Sequence, residues 1–388
     1  MKKPLHPYLR FLVRLREQNL LRRLPGDKRY KHDFANNDYL GFSKHPLLIQ
    51  AAREATYHSG VGNPASRLIS SHQLALTALE ESIAMAKKSP SALIFATGYQ
   101  ANVAVLSALL NSKVLEAPPL VFSDRLNHAS MHVGCQIAKV KQFRYRHGDY
   151  DHLHFLLKKT KALQQPKFIL TESVFGMDGD VADIARLLRL AKDYQALLYV
   201  DEAHATGLFG KTGYGICSDY EGEVDVCMGT FSKALGVSGA YVCSSTVLKR
   251  YFINRASGLI YSTAISPIQV AIMQKAWELV GLQQKQVAIL LQQAALVRLT
   301  LQKQGFNIGN STTHIIPVIL KSPQKVLAAK QFLAEKGINV SAIRPPSVAE
   351  NQSRLRIALT TQHTAEDINA LLHAMRALIP CDSSSRNL

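Results

Sequence analysis

The chain has 388 residues, 47% hydrophobic and 19% charged, a composition that suits a globular protein of two or three domains and excludes a collagen-like or wholly disordered one. No run of 18 uncharged apolar residues occurs, and the basic start MKKPLHPYLRFLVRLREQ lacks an apolar h-region and a small-residue cleavage site, so neither a transmembrane helix nor a signal peptide is expected. Lysine and arginine number 46 against 28 acidic residues, a formal charge of +18, which raises an anionic ligand or nucleic acid as a partner without choosing between them.

The excess begins at the N-terminus, where residues 1–31 carry ten basic and two acidic side chains. Leu9, Leu12, Val13 and Leu15 fit an apolar stripe between the arginines, as on a solvated amphipathic helix. Residues 1–50 read as a helix and arm belonging to a smaller domain. Over 51–266 short apolar runs alternate with helix-like stretches. Strands are expected at Ala92–Phe95, Leu120–Phe122, Phe168–Thr171, Leu197–Asp201, Val224–Gly229 and Gly239–Cys243. Most are spaced widely enough for helical crossovers, the pattern of an α/β domain around a mainly parallel sheet.

From residue 267 to 380 the texture changes. A long helical stretch, Ile268–Gln304, leads into a strand at His314–Leu320 and a helix at Gln324–Lys336, with Gly337 as its stop. Strands at Ile338–Ile343 and Leu355–Leu359 and a helix at Ala365–Leu378 complete a small α+β domain. The tail CDSSSRNL, 381–388, reads as disordered. Cys135, Cys217, Cys227, Cys243 and Cys381 form no C-x-x-C pair, so no zinc site is expected, and such scattered cysteines fit a reducing cytoplasm.

Ligands of open α/β sheets sit at the carboxyl ends of the strands. Those ends carry Asp201-Glu202-Ala203-His204, Gly229-Thr230-Phe231-Ser232-Lys233, Thr97-Gly98-Tyr99-Gln100-Ala101-Asn102, Asn127-His128 and Thr171-Glu172-Ser173. Singly each is weak, since a lysine after a strand is usually a solvated charge. In order along one rim they suit pyridoxal phosphate. That cofactor needs a lysine amine, an acid at its pyridine nitrogen and donors for its phosphate, which a helix N-terminus supplies.

These motifs resemble the α-oxoamine synthases, fold-type I pyridoxal-phosphate transferases. The resemblance runs from Asn36 to Leu378. It is carried also by Asn36-Asn37-Asp38-Tyr39-Leu40-Gly41, Met177-Asp178-Gly179-Asp180, Ile260-Tyr261-Ser262-Thr263 and Ile343-Arg344-Pro345-Pro346-Ser347-Val348. The last is most similar to the biotin-pathway branch, which makes 8-amino-7-oxononanoate. The resemblance implies a mainly parallel seven-stranded sheet domain beside a smaller α+β domain. It implies that Lys233 holds the cofactor as a Schiff base and then acts as base at the substrate Cα. Asp201 pairs with the pyridinium, His204 bonds the ring's phenolic oxygen, and His128 stacks on the ring. Gly98, Tyr99 and Thr230 hold the phosphate, while Ser262 and Thr263 reach into the other site of a homodimer. Arg356 and Asn37 bind the amino-acid carboxylate, and Arg22 binds the far carboxylate of a pimeloyl chain.

The implied reaction joins L-alanine to a pimeloyl thioester, on coenzyme A or an acyl carrier protein, with loss of CO2 and thiol. A glycine-using 2-amino-3-ketobutyrate ligase and a long-chain autoinducer synthase are the alternatives within the family. A nucleic-acid-binding protein is the alternative outside it, and it lacks aromatic platforms or a binding motif. Three departures stand out. Gly176 replaces the family's serine, Gly62-Asn63-Pro64-Ala65-Ser66-Arg67 replaces a glycine-rich run, and Pro25–Phe34 is short.

Overall fold

The computed structural model describes residues 5–24, 26–70 and 74–378; Cys381 and the tail expected to be disordered lie outside them. Among the described residues the strands are β1 (His32–Asp33), β2 (Ser91–Phe95), β3 (Leu120–Asp124), β4 (Gln142–Tyr145), β5 (Lys167–Glu172) and β6 (Ala196–Asp201). They continue as β7 (Val226–Thr230), β8 (Ala240–Ser244), β9 (Ile315–Lys321), β10 (Ile338–Asn339), β11 (Ser341–Ile343) and β12 (Ser353–Ala358). The chain divides into two compact units, a larger one of Asn37–Phe175 and Val181–Ala288 and a smaller one of Met1–Asn36, Gly176–Asp180 and Ile289–Leu388.

The larger unit holds a seven-stranded sheet of order β2-β8-β7-β6-β5-β3-β4. Only β8 runs against its neighbours. Nearly every residue of β2, β3 and β5–β8 is buried, as expected of strands covered on both faces, so they read in the sequence as continuous apolar runs. β4 escapes that signal because Gln142-Phe143-Arg144-Tyr145 is an edge strand, mostly half exposed. The helix Gly98–Leu109 follows β2 and is capped by Thr97, whose Oγ1 accepts from Gln100 N at 3.1 Å. Behind the sheet's first strands, Leu93, Val105, Leu109, Val121 and Phe168 share one apolar core with Met131 and Cys135 of the helix Ala129–Ile137.

The expected boundary at 266/267 does not coincide with the division of the chain. The helix Pro267–Val280 packs on Pro46–Ser59 and Leu74–Ala86, all inside the larger unit. The single helix expected over Ile268–Gln304 is two, Pro267–Val280 and Gln284–Lys303, parted by a turn in which Leu282 N and Gln283 N bond back to Leu279 O and Val280 O.

The smaller unit contains an antiparallel sheet β11-β12-β9 and the short parallel pair β1-β10. The one strand expected over Ile338–Ile343 is therefore split, its halves pairing with different partners. Gly176–Asp180 belongs to this unit through Gly179, whose carbonyl accepts from Thr312 N, Thr313 N and Thr313 Oγ1. Gly179 has φ +70°, and a Cβ there would lie 1.9 Å from Ile315 O, so no other residue fits. The N-terminal helix His6–Glu17 has no buried residue: Leu9, Leu12 and Val13 of the expected apolar stripe are exposed and Leu15 is half-buried, so within this chain the stripe is not covered. Among the described residues no helix is long and apolar enough to cross a membrane.

Candidate active site

The carboxyl ends of β2, β3, β5, β6 and β7 lie along one edge of the larger unit's sheet, and the polar groups there are tied to one another. Asp201 ends β6 and is 3% exposed. Its Oδ2 accepts from Asn102 Nδ2 at 2.7 Å and its Oδ1 from Ala203 N at 2.8 Å. His128 caps the helix Ala129–Ile137, with Nδ1 2.7 Å from Ser130 Oγ and 3.4 Å from Ser130 N. Burial lowers its pKa; the Asp201 carboxylate opposes this shift and the Lys233 ammonium adds to it. Those two charges act on the His128 ring together, so the sequence's scattered Asp, His and Lys form one electrostatic group.

His204 is also buried, its Nδ1 2.8 Å from the Tyr39 hydroxyl, which in turn lies 3.0 Å from Asn37 Oδ1. Asn37 and His204, read separately in the sequence, are thus joined through a fully buried tyrosine that the sequence reading left without a role. Lys233 sits half-buried in the turn after β7, its carbonyl accepting from Gly236 N at 2.9 Å. Thr230 is engaged otherwise than expected. Its hydroxyl donates to Gly239 O at 2.8 Å and its Oγ1 accepts from Ser232 N at 3.2 Å, so it clamps the lysine turn, and the exposed Ser232 hydroxyl lies 2.8 Å away.

The helix Gly98–Leu109 offers an anion site at its start. Thr97 satisfies Gln100 N, while the N–H groups of Gly98 and Tyr99 have no protein partner among the described residues, as at any helix N-terminus. A Cβ on Gly98 would meet Thr230 Cβ and Oγ1 at 3.6 and 3.7 Å, ordinary contact distances, so the helix start lies directly against the end of β7. Tyr99 is half exposed and sets its ring edge-on to His128, 6.4 Å between centroids at 84°. Ser262 Oγ accepts from Gln100 Nε2 at 2.8 Å, and Thr263 bridges to Ser66.

Ser173 follows β5, is wholly buried, and donates its backbone N–H to Asp201 O at 2.9 Å, yet its hydroxyl has no partner among the described residues. A helix N-terminus for phosphate, a buried acid for a ring nitrogen, a lysine amine and an unsatisfied hydroxyl beside them are the donor set that pyridoxal phosphate requires. Tyr39, Asn102 and Ser173 stand in the motifs quoted from the sequence without an assigned role there, and Ser130 and Tyr199 likewise have none. Asn102 carried a signal, because a polar side chain inside the apolar run of its helix must find buried partners.

Two arginines named from the sequence lie in the smaller unit. Arg356 is buried on β12, its Nε donating to Gly176 O at 2.6 Å, so the glycine that replaces the family's serine meets this guanidinium through its backbone. Arg354, two residues earlier, donates to Asp178 Oδ1 at 2.6 Å and to Met177 O at 3.2 Å. Arg22 Nη2 reaches Ser347 Oγ at 3.2 Å and the carbonyls of Arg344 and Pro345 at 3.5 Å.

The family model for aminotransferase class I and II matches residues 30–375. A Magnetococcus marinus protein named "Putative 8-amino-7-oxononanoate synthase" is 47% identical over 343 residues, 88% of this chain and 87% of the relative. An 8-amino-7-oxononanoate synthase from Gluconacetobacter diazotrophicus is 43% identical over 345 residues, 88% of this chain and 86% of the relative. Among solved structures, serine palmitoyltransferase from S. paucimobilis with a bound PLP–myriocin aldimine superposes with TM-score 0.89 at 24% identity, covering 97% of this chain and 98% of that one, a likeness of fold. The 8-amino-7-oxononanoate synthase of Francisella tularensis gives TM-score 0.76 at 25% identity, covering 89% and 97%.

Proposed function

The chain belongs to the class I and II aminotransferase family, among the α-oxoamine synthases, and we propose that it joins L-alanine to a pimeloyl thioester, releasing CO2 and the thiol carrier and yielding 8-amino-7-oxononanoate. Its cofactor is pyridoxal phosphate and its fold is fold-type I. The observation that carries the site assignment is the buried Asp201 carboxylate at the end of β6, held by Asn102 Nδ2 at 2.7 Å and Ala203 N at 2.8 Å, on the sheet edge where the helix Gly98–Leu109 begins. The 43–47% identity to proteins named for this reaction carries the choice of substrates.

In this reading the cofactor, when bound, supplies the electron sink for the pair left at the substrate Cα. Lys233 Nζ holds the cofactor covalently, then takes and later returns the Cα proton. Asp201 would pair with the pyridine nitrogen and stabilise its positive charge, His128 would cover the ring, and His204 would bond the phenolic oxygen. Gly98 and Tyr99 N–H groups hold the phosphate, with Thr230 shaping the turn beside them. Arg356 and Asn37 receive the amino-acid carboxylate and Arg22 the far carboxylate of the acyl chain. Ser262 and Thr263 serve the partner's site in a homodimer.

Two measurements test this. Purified protein should absorb in the near-visible, and Lys233→Ala should lose the band that borohydride bleaches in the wild type. Thiol release across a panel of amino acids and acyl thioesters should favour alanine with a seven-carbon dicarboxylic acyl group. A preference for glycine, serine or long monocarboxylic chains would move the chain to another α-oxoamine synthase activity.

A further inference from the structure

Resting on the reading that Asp201 meets the cofactor's ring nitrogen, we propose that Asn102 is the positioning residue that aims this carboxylate and at the same time sets the tautomer of His128. Asn102 is 1% exposed and sits one turn into the helix Gly98–Leu109. Its amide is fully used. Nδ2 donates to Asp201 Oδ2 at 2.7 Å and to Ser130 Oγ at 2.9 Å, and Oδ1 accepts from Tyr199 OH at 2.6 Å.

The direction of each bond follows from its partners. Burial above all, then the nearby Asp201, raises the Tyr199 pKa far beyond its ordinary value, so the phenol keeps its proton and must donate. The amide carbonyl therefore faces Tyr199. A flipped amide would set its oxygen against the Asp201 carboxylate, which can only accept, and lose that bond. Because Ser130 Oγ accepts from Asn102, its own proton goes to His128 Nδ1, the atom at which Ser130 N also points. The neutral His128 ring consequently carries its proton on Nε2. One amide thus locks the helix after β2, the end of β6 and the helix after β3. Without it, one oxygen of Asp201 loses its charge-assisted donor while the other keeps Ala203 N.

The test uses the full-length protein loaded with pyridoxal phosphate and reads two quantities, the cofactor dissociation constant and the pH midpoint of the near-visible band. Asn102→Ala is expected to weaken cofactor binding by about ten- to a hundred-fold, the worth of a hydrogen bond to a charged group, and to move the midpoint by about one pH unit. Ser130→Ala, which breaks only the His128 arm, is expected to move the midpoint while leaving affinity within about three-fold. Asp201→Asn monitors the underlying reading and should release the cofactor. If Asp201→Asn releases it while Asn102→Ala keeps wild-type affinity and midpoint, the inference is overturned and the reading stands. If Asp201→Asn binds as the wild type does, the reading falls and the inference with it. Where Asn102→Ala does not fold, Asn102→Leu fills the same volume without a donor, and overturns the inference if affinity and midpoint stay those of the wild type.

Discussion

The Tyr39 hydroxyl lies 2.8 Å from His204 Nδ1, a contact that joins residues 165 apart in the chain. Its proton is committed to Asn37 Oδ1 at 3.0 Å, so the Tyr39 oxygen accepts from His204 and places the imidazole proton on Nδ1. Tyr39→Phe keeps the buried ring and removes this junction, leaving two polar groups short of a partner. We expect it to cost about 1–3 kcal/mol of stability. A denaturant titration should show a lower midpoint at an unchanged slope, with slower thiol release at saturating substrates. An unaltered midpoint and rate would show that the hydroxyl does nothing there.

The frame of the large sheet was legible because strands buried on both faces are apolar throughout, as in Ala196-Leu197-Leu198-Tyr199-Val200. The rim was legible because chemistry collects where such strands end. What stayed hidden depends on contacts that sequence spacing does not record. Glu202 follows Asp201 in the chain yet turns to a buried Lys87, and Thr230 spends its hydroxyl on Gly239 O. Gly176–Asp180 interrupts the larger unit and belongs by its contacts to the smaller, which no local pattern announces.

His314 makes stability fall in acid. Burial, and then the charges of Arg356 and Arg298, press its pKa down to about 3 from the ordinary 6.5. The folded chain therefore holds the neutral ring, whereas the unfolded chain takes up the proton below 6.5. Its contribution is complete above pH 6.5 and is lost as pH falls from there towards 3, on the order of 5 kcal/mol over the range. His128, His132 and His363, also lowered chiefly by burial, slope the same way. Unfolding midpoints measured from pH 8 to 4 should drop, and His314→Asn should flatten the slope. An equal slope in the variant would assign the effect elsewhere.

Lys87 and Glu202 form an ion pair in which both side chains are essentially without solvent, 1% and 0% exposed. Lys87 also donates to Tyr214 O at 2.8 Å, and Glu202 accepts from Cys217 N at 2.9 Å and from the Cys227 thiol at 3.1 Å. Removing one partner strands a buried charge, so Lys87→Met should destabilise by about 3–5 kcal/mol. The double variant Lys87→Met/Glu202→Gln should recover a large part of that loss, because no uncompensated ion remains. A double-mutant cycle by chemical denaturation measures the coupling, and additive single effects would show that the pair contributes none.

Arg22 and Arg344 lie side by side in the smaller unit with only neutral acceptors, namely Ser347 Oγ, Asn19 O and the carbonyls of Arg344 and Pro345. Burial, and then the charge of Arg22, lowers the Arg344 pKa, and neither guanidinium has a carboxylate partner among the described residues. Two like charges held together without an acid are relieved by an anion, and the proposed acyl substrate ends in a carboxylate. A hydrogen bond to such a charge is worth about 1.5–3 kcal/mol. Arg22→Ala should therefore raise KM for the dicarboxylic acyl thioester by about ten- to a hundred-fold at nearly constant kcat. The straight-chain monocarboxylic thioester of equal length should be almost unaffected, so the preference between the two narrows by the same factor. Equal losses on both thioesters would assign Arg22 to fastening the Arg344–Ser347 segment rather than to reading the substrate.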